Sequence, residues 1–125
     1  MKIEKFENIQ AWQAARELTN AIYKATTHGQ FARDYGLRDQ IQRAAISVMA
    51  NIAEGFGSQS TQTFIQFLGY ALRSATEVQS HLYVALDQGY IDQNVFDQIY
   101  QQTGEVRNLI YGFIRYLRSN RKLRT

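Results

Sequence analysis

The chain has 125 residues, no cysteine, no proline, 45% hydrophobic and 20% charged residues, and a formal net charge of +3. This composition predicts one globular domain spanning residues 1–125, able to build a core without covalent or metal staples, and it excludes a disulfide framework or a thiolate metal site. The charge is uneven: residues 1–114 hold nine basic and eleven acidic side chains, a balance of −2, whereas residues 115–125 hold five basic and no acidic ones, a balance of +5.

Met1 to Phe6 alternates charged and apolar residues and lacks the apolar stretch of a secretory signal. No run reaches the roughly 20 apolar residues that span a bilayer. Both observations predict a cytoplasmic protein. Ile9, Trp12, Ala15, Leu18, Ile22 and Ala25 then recur at helical spacing and predict an amphipathic helix from about Asn8 to Thr27. Asn8 is the expected N-cap, and His28-Gly29 the stop.

A turn containing Tyr35-Gly36 is expected next, leading into a helix over about Leu37 to Phe56. Its apolar stripe is Leu37, Ile41, Ala44, Ala45, Val48 and Ile52, beside a polar stripe of Gln40, Ser47, Asn51 and Glu54. Gly55-Phe56-Gly57-Ser58 breaks it, and Ser60 or Thr61 can cap a third helix to about Gln88, with Phe64, Leu68, Ala71, Ala75, Val78, Leu82 and Leu86 close to a heptad seam. Gly89 ends that helix, Asp92 caps the last, and Phe96, Ile99, Thr103, Val106, Ile110, Phe113 and Leu117 form the most regular seam. Four helices of about 30 to 43 Å joined by short turns predict an all-α, antiparallel up-down-up-down four-helix bundle. Phe67, Tyr70, Tyr100, Tyr111 and Tyr116 fall off the seams and fit either a second apolar face for self-association or partial burial at the bundle edges.

The segment from Leu37 to Gly55, ending in Asn51-Ile52-Ala53-Glu54-Gly55, resembles the signature of the four-helix-bundle family named after proteins encoded in 23S rRNA intervening sequences. Ile9-Gln10-Ala11-Trp12, Tyr35-Gly36-Leu37, Phe64 with Phe67-Leu68, Ala71 with Ser74 and Glu77, and Gly89-Tyr90-Ile91 extend the resemblance over most of the chain. Two features depart from the family pattern: a proline usual before the second helix is missing, and Arg73 stands where glycine often precedes Ser74. The resemblance implies a homo-oligomer, a barrel-shaped pentamer, with no cofactor. The chain is also similar to accessory proteins of diversity-generating retroelements, whose basic pentamers bind reverse transcriptase and nucleic acid.

The polar stripe Gln40, Ser47, Asn51 and Glu54, with Ser74 and Glu77 from the third helix, is expected to form a structural hydrogen-bond network at a helix or subunit contact, because buried polar groups require partners. A direct ligand site is the other reading. Glu54, Glu77 and His81 invite a metal, but the paired Glu-x-x-His motifs of di-metal bundles are absent, so no metal is expected. Gly55 to Ser60 superficially resembles a phosphate loop without its lysine or preceding strand and reads as an interhelical turn. No nucleophile elbow or base-and-orienter pattern occurs, so the chain is expected to be no enzyme.

The main functional lead is Arg115, Arg118, Arg121, Lys122 and Arg124, of which residues 115, 118 and 122 share a helix face, with Tyr111 and Tyr116 nearby for stacking. Cations also complement the dipole at a helix C-terminus and keep a tail soluble, which gives the same residues a purely structural reading. An acidic protein or a membrane surface is a third possible counterpart. The leading expectation is electrostatic binding of RNA or DNA; the alternative is a protein-interaction scaffold or accessory subunit of a reverse transcriptase.

Overall fold

Where the apolar spacing is regular, the computed structural model, which describes the backbone of residues 3–124 and the side chains of residues 3–120, is helical. After a 3₁₀ turn at Phe6–Asn8 come α1 (Gln10–Thr26), α2 (Gly29–Arg33), α3 (Tyr35–Phe56), α4 (Thr61–Asp87) and α5 (Gln93–Arg124), with no strand among the described residues. No helix among these residues is long and apolar enough to cross a membrane.

Local chemistry accounts for most boundaries. The Ser60 hydroxyl accepts from the Thr63 amide at 3.1 Å, and the Asp92 carboxylate accepts from the Val95 amide at 2.8 Å, so both expected caps form. Gly89, at φ +75°, turns the chain after α4 in a conformation that side chains with a Cβ rarely adopt.

Two expected boundaries are corrected. Asn8 does not cap α1: its amide is engaged with the Lys5 carbonyl in the 3₁₀ turn, Ile9 takes the capping position, and Gln13 reaches back to the Glu7 carbonyl at 2.8 Å. Tyr35-Gly36 is no turn but the first turn of α3, because Asp34 accepts from the Leu37 amide at 3.1 Å and starts the helix early. The single-turn α2 between them was not expected. It buries one large side chain, Phe31, which is 1% exposed and lies 5.4 Å from the Tyr90 ring. One buried residue per element produces no periodicity to read.

The four long helices close on one another in the order α1, α3, α4, α5 and back to α1. Neighbours run antiparallel. The start of α4 meets the end of α3 through Phe64 and Phe56 and the far part of α5 through Phe113, while Tyr83 late in α4 meets Phe96 and Tyr100 early in α5. Thr19 of α1 lies 3.3 Å from the Ala45 carbonyl of α3, and Gln42 of α3 donates to the Thr26 hydroxyl of α1 at 2.9 Å. Inside this ring lie Leu18, Ile22, Ile41, Val48, Ile52, Leu68, Val78, Leu82, Val106 and Ile110, all fully buried. Burying one such side chain contributes about 1.5 to 3 kcal/mol, so the core stripes carry the stability of the bundle.

Candidate nucleic-acid interface

The polar stripe separates into a small bonded centre and exposed ends. Ser74 of α4, 9% exposed, donates to the Ser47 hydroxyl of α3 at 2.9 Å, and the Asn51 amide donates to the same hydroxyl at 3.0 Å and to the Ser47 carbonyl at 2.9 Å. Within the single chain Gln40, Glu54 and Glu77 are exposed and stand outside this cluster, and Glu77 faces His81 at 3.3 Å. Gln40 and Glu54 lie seven residues to either side of Ser47 on the same face of α3, about 10 Å along its axis, so position along the helix separates them from the Ser47 to Ser74 contact. No group of three or more His, Asp or Glu able to hold a metal occurs among the described residues.

The Asn-Ile-Ala-Glu-Gly segment has a packing explanation. Ile52 is fully buried, Asn51 bonds back to Ser47, and at Gly55 α3 passes close against α4. A Cβ on Gly55 would lie 2.7 Å from the Phe64 ring and 2.8 Å from the Phe67 Cβ. The latter atom is fixed to the α4 backbone and cannot rotate away. Downstream, Ser58 donates to the Gly55 carbonyl at 2.6 Å, so the glycine-rich stretch is an interhelical turn with its own bonds. Arg73, which replaces the family's frequent glycine, is exposed and lies over the Tyr70 ring at 5.5 Å.

A second fit involves Asp34. One carboxylate oxygen caps α3, and the other accepts the Tyr90 hydroxyl at 2.9 Å, tying the α4 to α5 turn to the start of α3. This hydrogen bond, with burial and the like charge of the carboxylate, raises the Tyr90 pKa above its usual 10.0.

Antiparallel pairing of α4 with α5 assembles the charge. Residues 58–76 contain no Asp or Glu and one Arg; residues 106–125 contain no Asp or Glu and six basic residues. The Phe64 to Phe113 contact brings the described parts of these two acid-free stretches side by side. Together they carry +7, leaving −4 for the rest of a chain whose total is +3. Of the expected basic residues, Arg115 and Arg118 are exposed on α5; the side chains of Arg121, Lys122 and Arg124 lie outside the described residues. Tyr111 and Tyr116 are 42% and 38% exposed. Tyr116 borders a cleft of about 580 Å³ between the N-terminal segment and α5, together with Ile9, Leu109 and Phe113.

Arg107 is the residue that sequence reasoning passed over, since it lies before the basic run begins. Its guanidinium stands over the Tyr111 ring at 5.8 Å, and its Nε is buried without an acceptor among the described residues. An unpaired buried donor costs roughly 1 to 3 kcal/mol. Among the described residues none of Arg107, Arg115 and Arg118 has a carboxylate within ion-pair distance. Spacing of four, four and three along residues 107, 111, 115 and 118, on one helix face, was the available signal.

These features define an antiparallel, all-helical bundle with a cationic, tyrosine-bearing face across its last two helices. The family model for the 23S rRNA-intervening sequence protein matches residues 7–112 of the chain, which therefore belongs to that family. Among solved structures the chain is similar to a crystal structure from Bacteroides thetaiotaomicron, described as a protein of unknown function from the S23 ribosomal protein family. The two share 27% identity, with a TM-score of 0.76, over 83% of this chain and 97% of that one. No curated protein matches the chain.

Proposed function

We propose that this protein is a non-enzymatic, cytoplasmic, homo-oligomeric four-helix bundle, assembled as a pentamer, that binds nucleic acid through the basic ends of α5. The observation carrying this reading is the acid-free face that α4 and α5 make together, where exposed arginines lack carboxylate partners among the described residues. Cations serving only to complement a helix dipole need no such neighbour. An adjoining stretch without acidic residues, here residues 58–76 of the chain, favours attraction to a polyanion. Repetition of the face in an oligomer multiplies the contacts and so steepens the salt dependence. Recognition rests on phosphate, so base selectivity is low.

The test is RNA and DNA binding across a salt series, comparing the intact protein with a variant in which Arg115, Arg118, Arg121, Lys122 and Arg124 are all glutamine. Oligomeric size is measured for both. Affinity is expected to fall steeply with salt, and the variant is expected to keep its size and lose binding. Absence of binding by the intact protein would refute the reading. It would favour instead a protein-interaction scaffold, such as a reverse-transcriptase accessory subunit, for which the exposed Ile46, Tyr83 and Val84 are the supporting observation.

A further inference from the structure

Resting on the nucleic-acid reading above, we infer that the partner is single-stranded and that Tyr111, held by Arg107, is the platform on which one of its bases stacks. Arg107, Tyr111, Arg115 and Arg118 run along one face of α5, covering about 16 Å at 1.5 Å per residue. Tyr111 is therefore flanked by a guanidinium one turn before it and another one turn after it. Arg107 lies over the ring itself at 5.8 Å, its Nε buried so that the guanidinium is packed against α5. The ring is thereby restrained while 42% exposed, so presenting it to a base costs little further ordering.

The neighbouring surface leaves room for such a strand. A Cβ placed on Gly69 in the adjoining half of α4 would meet nothing within 4 Å. On α5 a Cβ at Gly112 would come no closer than 3.8 Å to anything, its nearest neighbour being the Arg115 guanidinium. No acidic side chain lies in residues 58–76 or 106–125 to repel a phosphate chain. Base-paired nucleic acid satisfies phosphate contacts equally well, but its base faces are enclosed in the stack and cannot reach a tyrosine ring. Stacking on Tyr111 thus adds affinity for unpaired bases alone, tolerating any base because each offers a π-face.

The experiment measures binding of a labelled oligouridylate and of a duplex of the same length to the intact protein and to Tyr111→Leu, Tyr111→Phe and Arg107→Gln. Thermal midpoint and oligomeric size are checked for each. Tyr111→Leu is expected to weaken single-strand binding about 5- to 150-fold with duplex binding nearly unchanged, and Tyr111→Phe to retain both. Arg107→Gln, which removes a charge and frees the ring, weakens single-strand binding more than duplex binding. Salt-sensitive binding that Tyr111→Leu leaves intact, or reduces equally for strand and duplex, overturns the stacking role while leaving the electrostatic reading in place. Failure of the intact protein to bind either probe overturns both.

Discussion

Replacing Gly55 with alanine tests the close approach of α3 to α4. The added methyl would sit 2.7 and 2.8 Å from carbon atoms of Phe64 and Phe67, against a comfortable separation of about 3.5 to 4.0 Å. The Phe64 ring can turn, but the Phe67 Cβ moves only with α4, so the helices must part by several tenths of an ångström. Overpacking of this kind costs roughly 1 to 3 kcal/mol, and the rigid neighbour places it at about 2 to 3 kcal/mol. Alanine's better helix propensity returns about 0.5 to 1 kcal/mol, for a net loss of about 1 to 2.5 kcal/mol. At about 2.1 cal/mol/K per residue, that lowers Tm by about 4 to 10 °C for a chain of this length. Gly69→Ala is the matched comparison: the same substitution in a helix with nothing within 4 Å, expected to raise Tm by about 2 to 4 °C. Thermal unfolding of both at one fixed protein concentration is the assay, since association alters Tm. A Gly55→Ala protein as stable as Gly69→Ala would refute the close-approach argument; a Gly69→Ala protein that loses stability would place a second chain over that glycine.

Other consequences follow from single contacts. Ser74→Ala removes the donor that bridges to Ser47 and is expected to cost about 0.5 to 1.5 kcal/mol in denaturant unfolding. Asp92→Ala leaves the Val95 amide uncapped at the start of α5, with an expected loss of about 0.5 to 2 kcal/mol and unchanged helix content in circular dichroism. The Tyr90 to Asp34 bond makes stability depend on alkaline pH. Because the folded pKa lies above 10.0, the contribution is fully present below that value and disappears as pH rises through the folded pKa; Tyr90→Phe should flatten this limb when Tm is followed from neutral to strongly alkaline pH.

Much of the bundle is legible in one dimension. Helical spacing marks the buried side of α1, α3, α4 and α5, as Leu18, Val48, Leu68 and Val106 illustrate, and Ser60 and Asp92 announce helix starts because capping is a contact over three residues. The errors at Asn8 and Tyr35-Gly36 arose where a local signal met a longer-range one. Asn8 is a good cap by type, but the 3₁₀ turn engages its backbone; Gly36 reads as a turn until Asp34, held by Tyr90 from 56 residues away, starts α3 before it.

The candidate site divides in the same way. Sequence by itself determined the helical class, the Ser60 and Asp92 caps, the apolar stripes and the basic excess in residues 115–125, because each depends on spacing or composition within one segment. Tertiary structure alone decided that the acid-free start of α4 meets the acid-free part of α5 through Phe64 and Phe113, that Gly55 faces Phe64 and Phe67, and that Ser74 reaches Ser47 while Gln40, Glu54 and Glu77 are exposed within the chain. Helical periodicity specifies which side of each helix is apolar. It does not specify the register at which two helices meet, and register is what turns two unremarkable acid-free stretches into one cationic surface.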